Sequence, residues 1–172
     1  YEAIRAGNCG NGETMMSDGF AKFIRLYGEY QDALGKLFGT RIDAIRIDRD
    51  EQHYLSFDTD AGTVHLEACG DCCSESWFYH ILGVKALLGH TITDIEIVKD
   101  DAEPPDDFSR QDYDRIYGVN FRTTGGMAGV EFRNSSNGYY GGWLDAVESI
   151  PAGVRMVAVT DDYTAQLYGM EA

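Results

Sequence analysis

Several things are scarce in this chain, and each scarcity removes a class of protein. No window approaches 18 consecutive apolar residues, so no membrane-crossing helix is expected. No basic stretch followed by an apolar run opens the sequence, so no secretion signal is read there. Basic residues are few: 14 Lys and Arg stand against 29 Asp and Glu, for a net charge of −15. That argues against a direct binder of nucleic acid or of an anionic membrane, each of which needs a basic face. It favours solubility and attraction to basic partners. Catalytic motifs are missing too, with no phosphate loop, G-x-G-x-x-G, G-x-S-x-G or H-E-x-x-H. The expectation is a non-enzyme.

Cysteines number four, and three of them (Cys69, Cys72, Cys73) crowd into five residues. Adjacent Cys72 and Cys73 cannot bridge without backbone strain, and a 172-residue chain with 44% hydrophobic content needs no staples. Free thiols in a reducing, cytoplasmic compartment follow.

What is present is a sequence written twice. "KLFGTRIDAIRI" (36–47) aligns with "ALLGHTITDIEI" (86–97) at an offset of 50, and "LSFDTDAGTVHLE" (55–67) with "VNFRTTGGMAGVE" (119–131) at 64. "WFYHI" (77–81) then matches "WLDAV" (143–147). Alternation at period two predicts three strands in each half. Asp60-Ala61-Gly62 reads as a hairpin turn. The three-residue spacing of Ile42 and Ile45, repeated by Ile92 and Ile95, predicts a β-bulge or a late strand start.

Helices are expected in three places. Ser17-Asp18 caps an apolar stripe that Gly39 ends, Ser74 caps "ESWFYHILGVKALL" before Gly89, and a short helix covers 143–149 before Pro151. The predicted fold class is therefore α+β: two β-β-β-α repeats (36–85 and 86–150) forming antiparallel sheet with helices on one face. A loose arm (1–16) and an amphipathic helix precede the repeats. A last strand (153–160) follows, and 17–172 form one domain.

Three stretches carry candidate chemistry. Cys69, Cys72, Cys73 and His65 are ligand types that suit zinc, although a single CxxC is a weak signal; no cofactor is the primary expectation. Cys72 and Cys73, just before the predicted helix, would have lowered thiol pKa values if the helix amides faced them. "DCCS" also fits a compact turn, because the second half builds the equivalent turn with Ser135 and Ser136. Asn134, Asn137, Tyr139, Tyr140 and Trp143 form an aromatic, amide-rich loop suited to a protein interface or to stacking on a base or sugar, and they fit equally a Gly-rich turn whose aromatics fold back onto the core. Between Asp94 and Asp114 lies an acidic segment that includes Asp100, Asp101, Glu103, Asp106 and Asp107. It reads as an extended linker and as an imitation of a phosphate row.

"GDCCSESWF" together with "FRNSSNGYYGGWL" resembles an uncharacterised domain family of bacteriophage genomes that bears a G-D-C-C-S-x-S-W stretch. The resemblance covers about Leu34 to Val147. It implies a small accessory protein made in a bacterial cytoplasm during infection. The function expected is binding and modulation of a host protein, basic or nucleic-acid-handling, through acidic mimicry. The alternative is a small-ligand module holding zinc or a nucleotide between the Cys69–Cys73 turn and the Tyr139–Trp143 loop.

Overall fold

The computed structural model describes residues 24–25, 34–103 and 110–165, with the backbone alone at 24, 25 and 99–101. It is nearly all β, which overturns the α+β expectation. Among the described residues eleven strands run in chain order: β1 (Ile24–Arg25), β2 (Ile42–Asp48), β3 (Tyr54–Thr59), β4 (Gly62–Gly70), β5 (Glu75–Leu82), β6 (Ile92–Ala102), β7 (Tyr113–Thr123), β8 (Gly126–Ser136), β9 (Gly142–Val147), β10 (Met156–Ala158) and β11 (Tyr163–Thr164). Among the described residues the helical pieces are a 3-10 turn at Gly35–Leu37 and a single turn, α1, at Val84–Leu87. No described helix is long and apolar enough to cross a membrane.

The strands form two sheets, ordered β1-β6-β7-β8-β5-β11 and β10-β2-β3-β4-β9. All pairings are antiparallel except that of β1 with β6. Three strands of each half stay together, as the repeat predicts. The fourth crosses over: β5 of the first half pairs with β8 of the second, and β9 of the second pairs with β4 of the first. Each sheet is thus completed by the other repeat.

The crossing strands are the segments predicted as helices. β5 is buried on both sides, with Phe78 and Ile81 in the main core and Trp77 and Tyr79 in a second cluster on the opposite face. A run apolar on both faces has no period to distinguish strand from helix, and its aromatic and β-branched content favours the strand. Gly83, at φ 68, stops it, and a Cβ there would collide with the Met127 carbonyl. Ile24 and Arg25, inside the predicted first helix, pair with Ile95 and Glu96 as a short strand. The rest of that helix, apart from the turn before Gly39, lies outside the described residues, as does the 1–16 arm.

The repeat is exact enough to leave paired hydrogen bonds. The Gly39 amide donates to the Ile92 carbonyl (2.9 Å) and the Gly89 amide to that of Ile42 (2.7 Å). The Ile42 amide donates to His90 and the Ile92 amide to Thr40, each at 3.0 Å. Gly39 and Gly89 both sit at φ 77, where a glycine costs least. The predicted bulges appear at equivalent places, between Ile42 and Ala44 and between Ile92 and Asp94. The hairpin glycine Gly62 has its counterpart in Gly126, both with positive φ.

Between the sheets lies one core, built from β2, β3 and β4 on one side and β6, β7, β8 and β5 on the other. Equivalent residues Phe57 and Phe121 meet near its middle, ring centroids 6.3 Å apart. Both are fully buried, so Phe121→Ala is expected to lower unfolding stability by about 3–5 kcal/mol. Urea titration followed by far-UV circular dichroism checks this, and the native spectrum should be that of a β protein.

Candidate partner-binding surface

One end of the sandwich gathers the β4–β5 turn (71–74), the β8–β9 turn (137–141) and the β2–β3 loop (49–53). The two turns are equivalent in the repeat and are locked together beneath the surface. Ser76 and Asn134 are register partners on β5 and β8. The Ser76 hydroxyl donates to the Cys69 carbonyl (2.7 Å), and the Asn134 amide nitrogen donates to the Ser76 oxygen (2.9 Å). Gly70 and Gly142, paired across β4 and β9, pass so close that a Cβ on either would meet Ser76 and Asn134 within 3.0 Å. The G-D-C-C-S-x-S-W and N-S-S-N-G-Y-Y stretches therefore interdigitate. Gly70, Ser76 and Asn134 are the joint where the strands change sheets, and Asn134, expected at a partner surface, is 0% exposed.

Beyond the joint the chain comes to the surface. Ser136 Oγ accepts the Gly138 amide (3.0 Å), and Asn137 Oδ1 accepts that of Tyr139 (3.2 Å). These bonds fix a turn that leaves Tyr139 90% exposed, with Tyr140 and Trp143 half-buried. Cys72 and Cys73 are exposed beside them, sulfurs 3.7 Å apart. Hydrogen bonding to Cys72, then its charge, raises the Cys73 thiol above its ordinary value. The lowering expected of a helix N-terminus does not arise, because a strand follows the turn. Tyr140 is also raised, chiefly by the nearby Cys72 and Cys73 charges.

Cys69 and His65 lie back along β4, Cys69 as the cross-strand partner of Trp143 and His65 four residues further from the turns. They share the outer face of β4, as their parity predicts, where His65 Nδ1 is 2.8 Å from Ser56 Oγ and the Cys69 thiol faces the Glu67 carbonyl. Among the described residues, three metal-type donors do gather, but they are Glu51, His53 and Glu75, with ligand atoms within 4.8 Å of one another. Sequence reasoning missed that trio because Glu75 was placed in a helix, 24 residues from Glu51. Glu75 is ion-paired with Arg110, a cation already at the cluster.

The acidic segment is not one linker. Asp94 to Ala102 belongs to β6, and β7 resumes at Tyr113. Asp114 is buried with Arg133, their closest charged atoms 3.8 Å apart, while Glu103 is exposed and 3.4 Å from Arg115. The side chains of Asp100, Asp101, Asp106 and Asp107 lie outside the described residues.

The outer faces of the two sheets differ. On the six-stranded sheet the Arg133 guanidinium lies 3.7 Å over the Tyr79 ring, and that of Arg110 3.8 Å over Trp77. On the five-stranded sheet Tyr54 donates to Glu67 Oε1 (3.2 Å), Glu67 faces Asp145, and Cys69 faces Trp143. Burial, and then the Glu67 charge, push the Tyr54 phenol up to about 12.

Two expectations follow. Asp114→Asn removes the partner of a buried cation and should cost about 3–5 kcal/mol in denaturant unfolding, whereas Glu103→Gln should stay within about 0.5 kcal/mol. Tyr54 has a folded pKa above its unfolded value near 10, so its contribution is complete below pH 10 and is lost as pH rises toward 12. Tyr54→Phe should remove that part of the alkaline loss in thermal melts taken across this window.

Comparison with known proteins adds a family but no chemistry. The family model described as "Domain of unknown function (DUF7448)" matches residues 31–146, close to the span of the resemblance. A relative from Acanthamoeba polyphaga mimivirus, "Uncharacterized protein L278", is 39% identical over 110 residues, covering 62% of this chain and 86% of its own. No solved structure matches.

Proposed function

The chain belongs to the DUF7448 family, and we propose that it is a non-enzymatic module that binds a basic partner protein through the turn end of its sandwich. The observation that carries this reading is Tyr139, a large aromatic held almost wholly in solvent by a turn whose backbone is hydrogen-bonded and whose roots are locked at the Ser76–Asn134 joint. Exposed aromatics on rigidly supported loops give contact area at low entropic cost. The net charge of −15 favours a basic partner and steers its approach. A relative of viral origin fits an accessory role in infection.

The test is a pull-down from bacterial lysate with the wild-type chain and with Tyr139→Ala, each at low and high salt. Tyr139→Ala should leave the melting temperature unchanged and lose the captured protein. Equal capture by both chains would contradict the assignment to this turn.

A further inference from the structure

The repeat places two tryptophans in equivalent positions, Trp77 on β5 and Trp143 on β9, each on the outer face of its sheet. Trp77 is fully buried, and its ring is covered by Arg110, which Glu75 holds as an ion pair. The same face repeats the device, with Arg133 over Tyr79 and Asp114 as its counter-ion. This fold therefore packs guanidinium groups on the aromatic rings of its outer sheet face and anchors each with a carboxylate.

The equivalent face of the other sheet has the tryptophan and two carboxylates of its own, but among the described residues no cation on the ring. Trp143 is half-buried, and among the described residues no Arg or Lys lies over it. Asp145 is two residues along β9 on the same face, and Glu67 is its direct cross-strand partner. Like charges directly opposite in a sheet repel, and here no cation among the described residues is paired with either. The positions equivalent to Arg133 and Tyr79 are Cys69 and Asp145, so where one face carries a cation on a ring the other carries a neutral thiol and a carboxylate.

We infer that Trp143, Asp145 and Glu67 form a receptor for an arginine side chain of the partner, which stacks on the indole and pairs with the two carboxylates. The inference rests on the proposed basic partner and names the group by which it is held. A guanidinium suits this site better than an ammonium. It is planar, stacks on a ring face, and offers a fork of donors to a carboxylate while stacked. Attraction of a cation to an indole face is strongest when both are desolvated by a partner's surface.

The test is NMR titration of the full chain with an arginine-glycine repeat peptide and its lysine-glycine counterpart, reading the indole N–H signals of the two tryptophans. Trp143→Phe assigns them. The arginine peptide should shift the Trp143 signal and leave that of Trp77 in place, and should bind more tightly than the lysine peptide. Trp143→Leu and Asp145→Asn should each weaken it by about fivefold or more. Equal binding of both peptides, unaffected by either substitution, would overturn the receptor while leaving a basic partner standing. Binding lost in Tyr139→Ala but kept in Trp143→Leu would do the same. No binding of either peptide would overturn both readings.

Discussion

The exchange of the fourth strands is the constraint on which the rest of this structure depends. Neither three-stranded half contains its own completing strand, so β5 must reach β8 and β9 must reach β4 before either sheet closes. The crossing brings two chain segments through one narrow place. That place tolerates only glycine at Gly70 and Gly142, and it uses the short hydroxyl of Ser76 and the amide of Asn134 to tie the segments. Motifs that look like sites in the sequence are thus first of all the means by which two copies are joined. The exposed turns 71–74 and 137–141 leave directly from that joint.

Duplication also explains how a nearly symmetric scaffold comes to have dissimilar surfaces. The equivalences are tightest in the core and at the reciprocal backbone bonds, where a change in either copy would disturb both. They are loosest on the outer sheet faces and in the loops. Arg133 stands where the first copy has Cys69, and the stretch from Ile92 to Phe121 is 14 residues longer than its equivalent from Ile42 to Phe57, partly in longer strands and partly in a longer β6–β7 connection. One outer face is closed by its own arginines on its own aromatic rings. The other keeps aromatic and acidic groups half open, which suits a surface made to be completed by another molecule.

Much of the scaffold was legible in the sequence. The repeat, the three strands of each half, the Asp60–Gly62 hairpin, the Ile42 and Ile92 bulges and a strand within 153–160 all left alternation or glycine signals that burial then enforces. The fourth strands were not legible, because Trp77 to Ile81 is apolar on both faces and its partner lies in the other half. Asn134 to Ser136 misled for the opposite reason. Their polarity resembles a loop, but inside the sandwich it supplies the hydrogen bonds of a buried joint. Asp114 likewise counted as surface charge until Arg133 was found against it. At Tyr139 the sequence allowed both an exposed ring and one folded back onto the core, and the hydrogen-bonded turn at Ser136 and Asn137 is what holds it in solvent.

If the exchanged strands hold the fold together, the two halves must unfold as one cooperative unit. Native-state hydrogen exchange in increasing denaturant measures this directly, because independently stable units open at separate free energies. Slow amides of β2–β4 and β6–β8 should converge on a single opening free energy, with those of β5 and β9 merging into it. If β2–β4 opened well below β6–β8, the halves would be separable, and the exchanged strands would not be what holds the fold and its surface together.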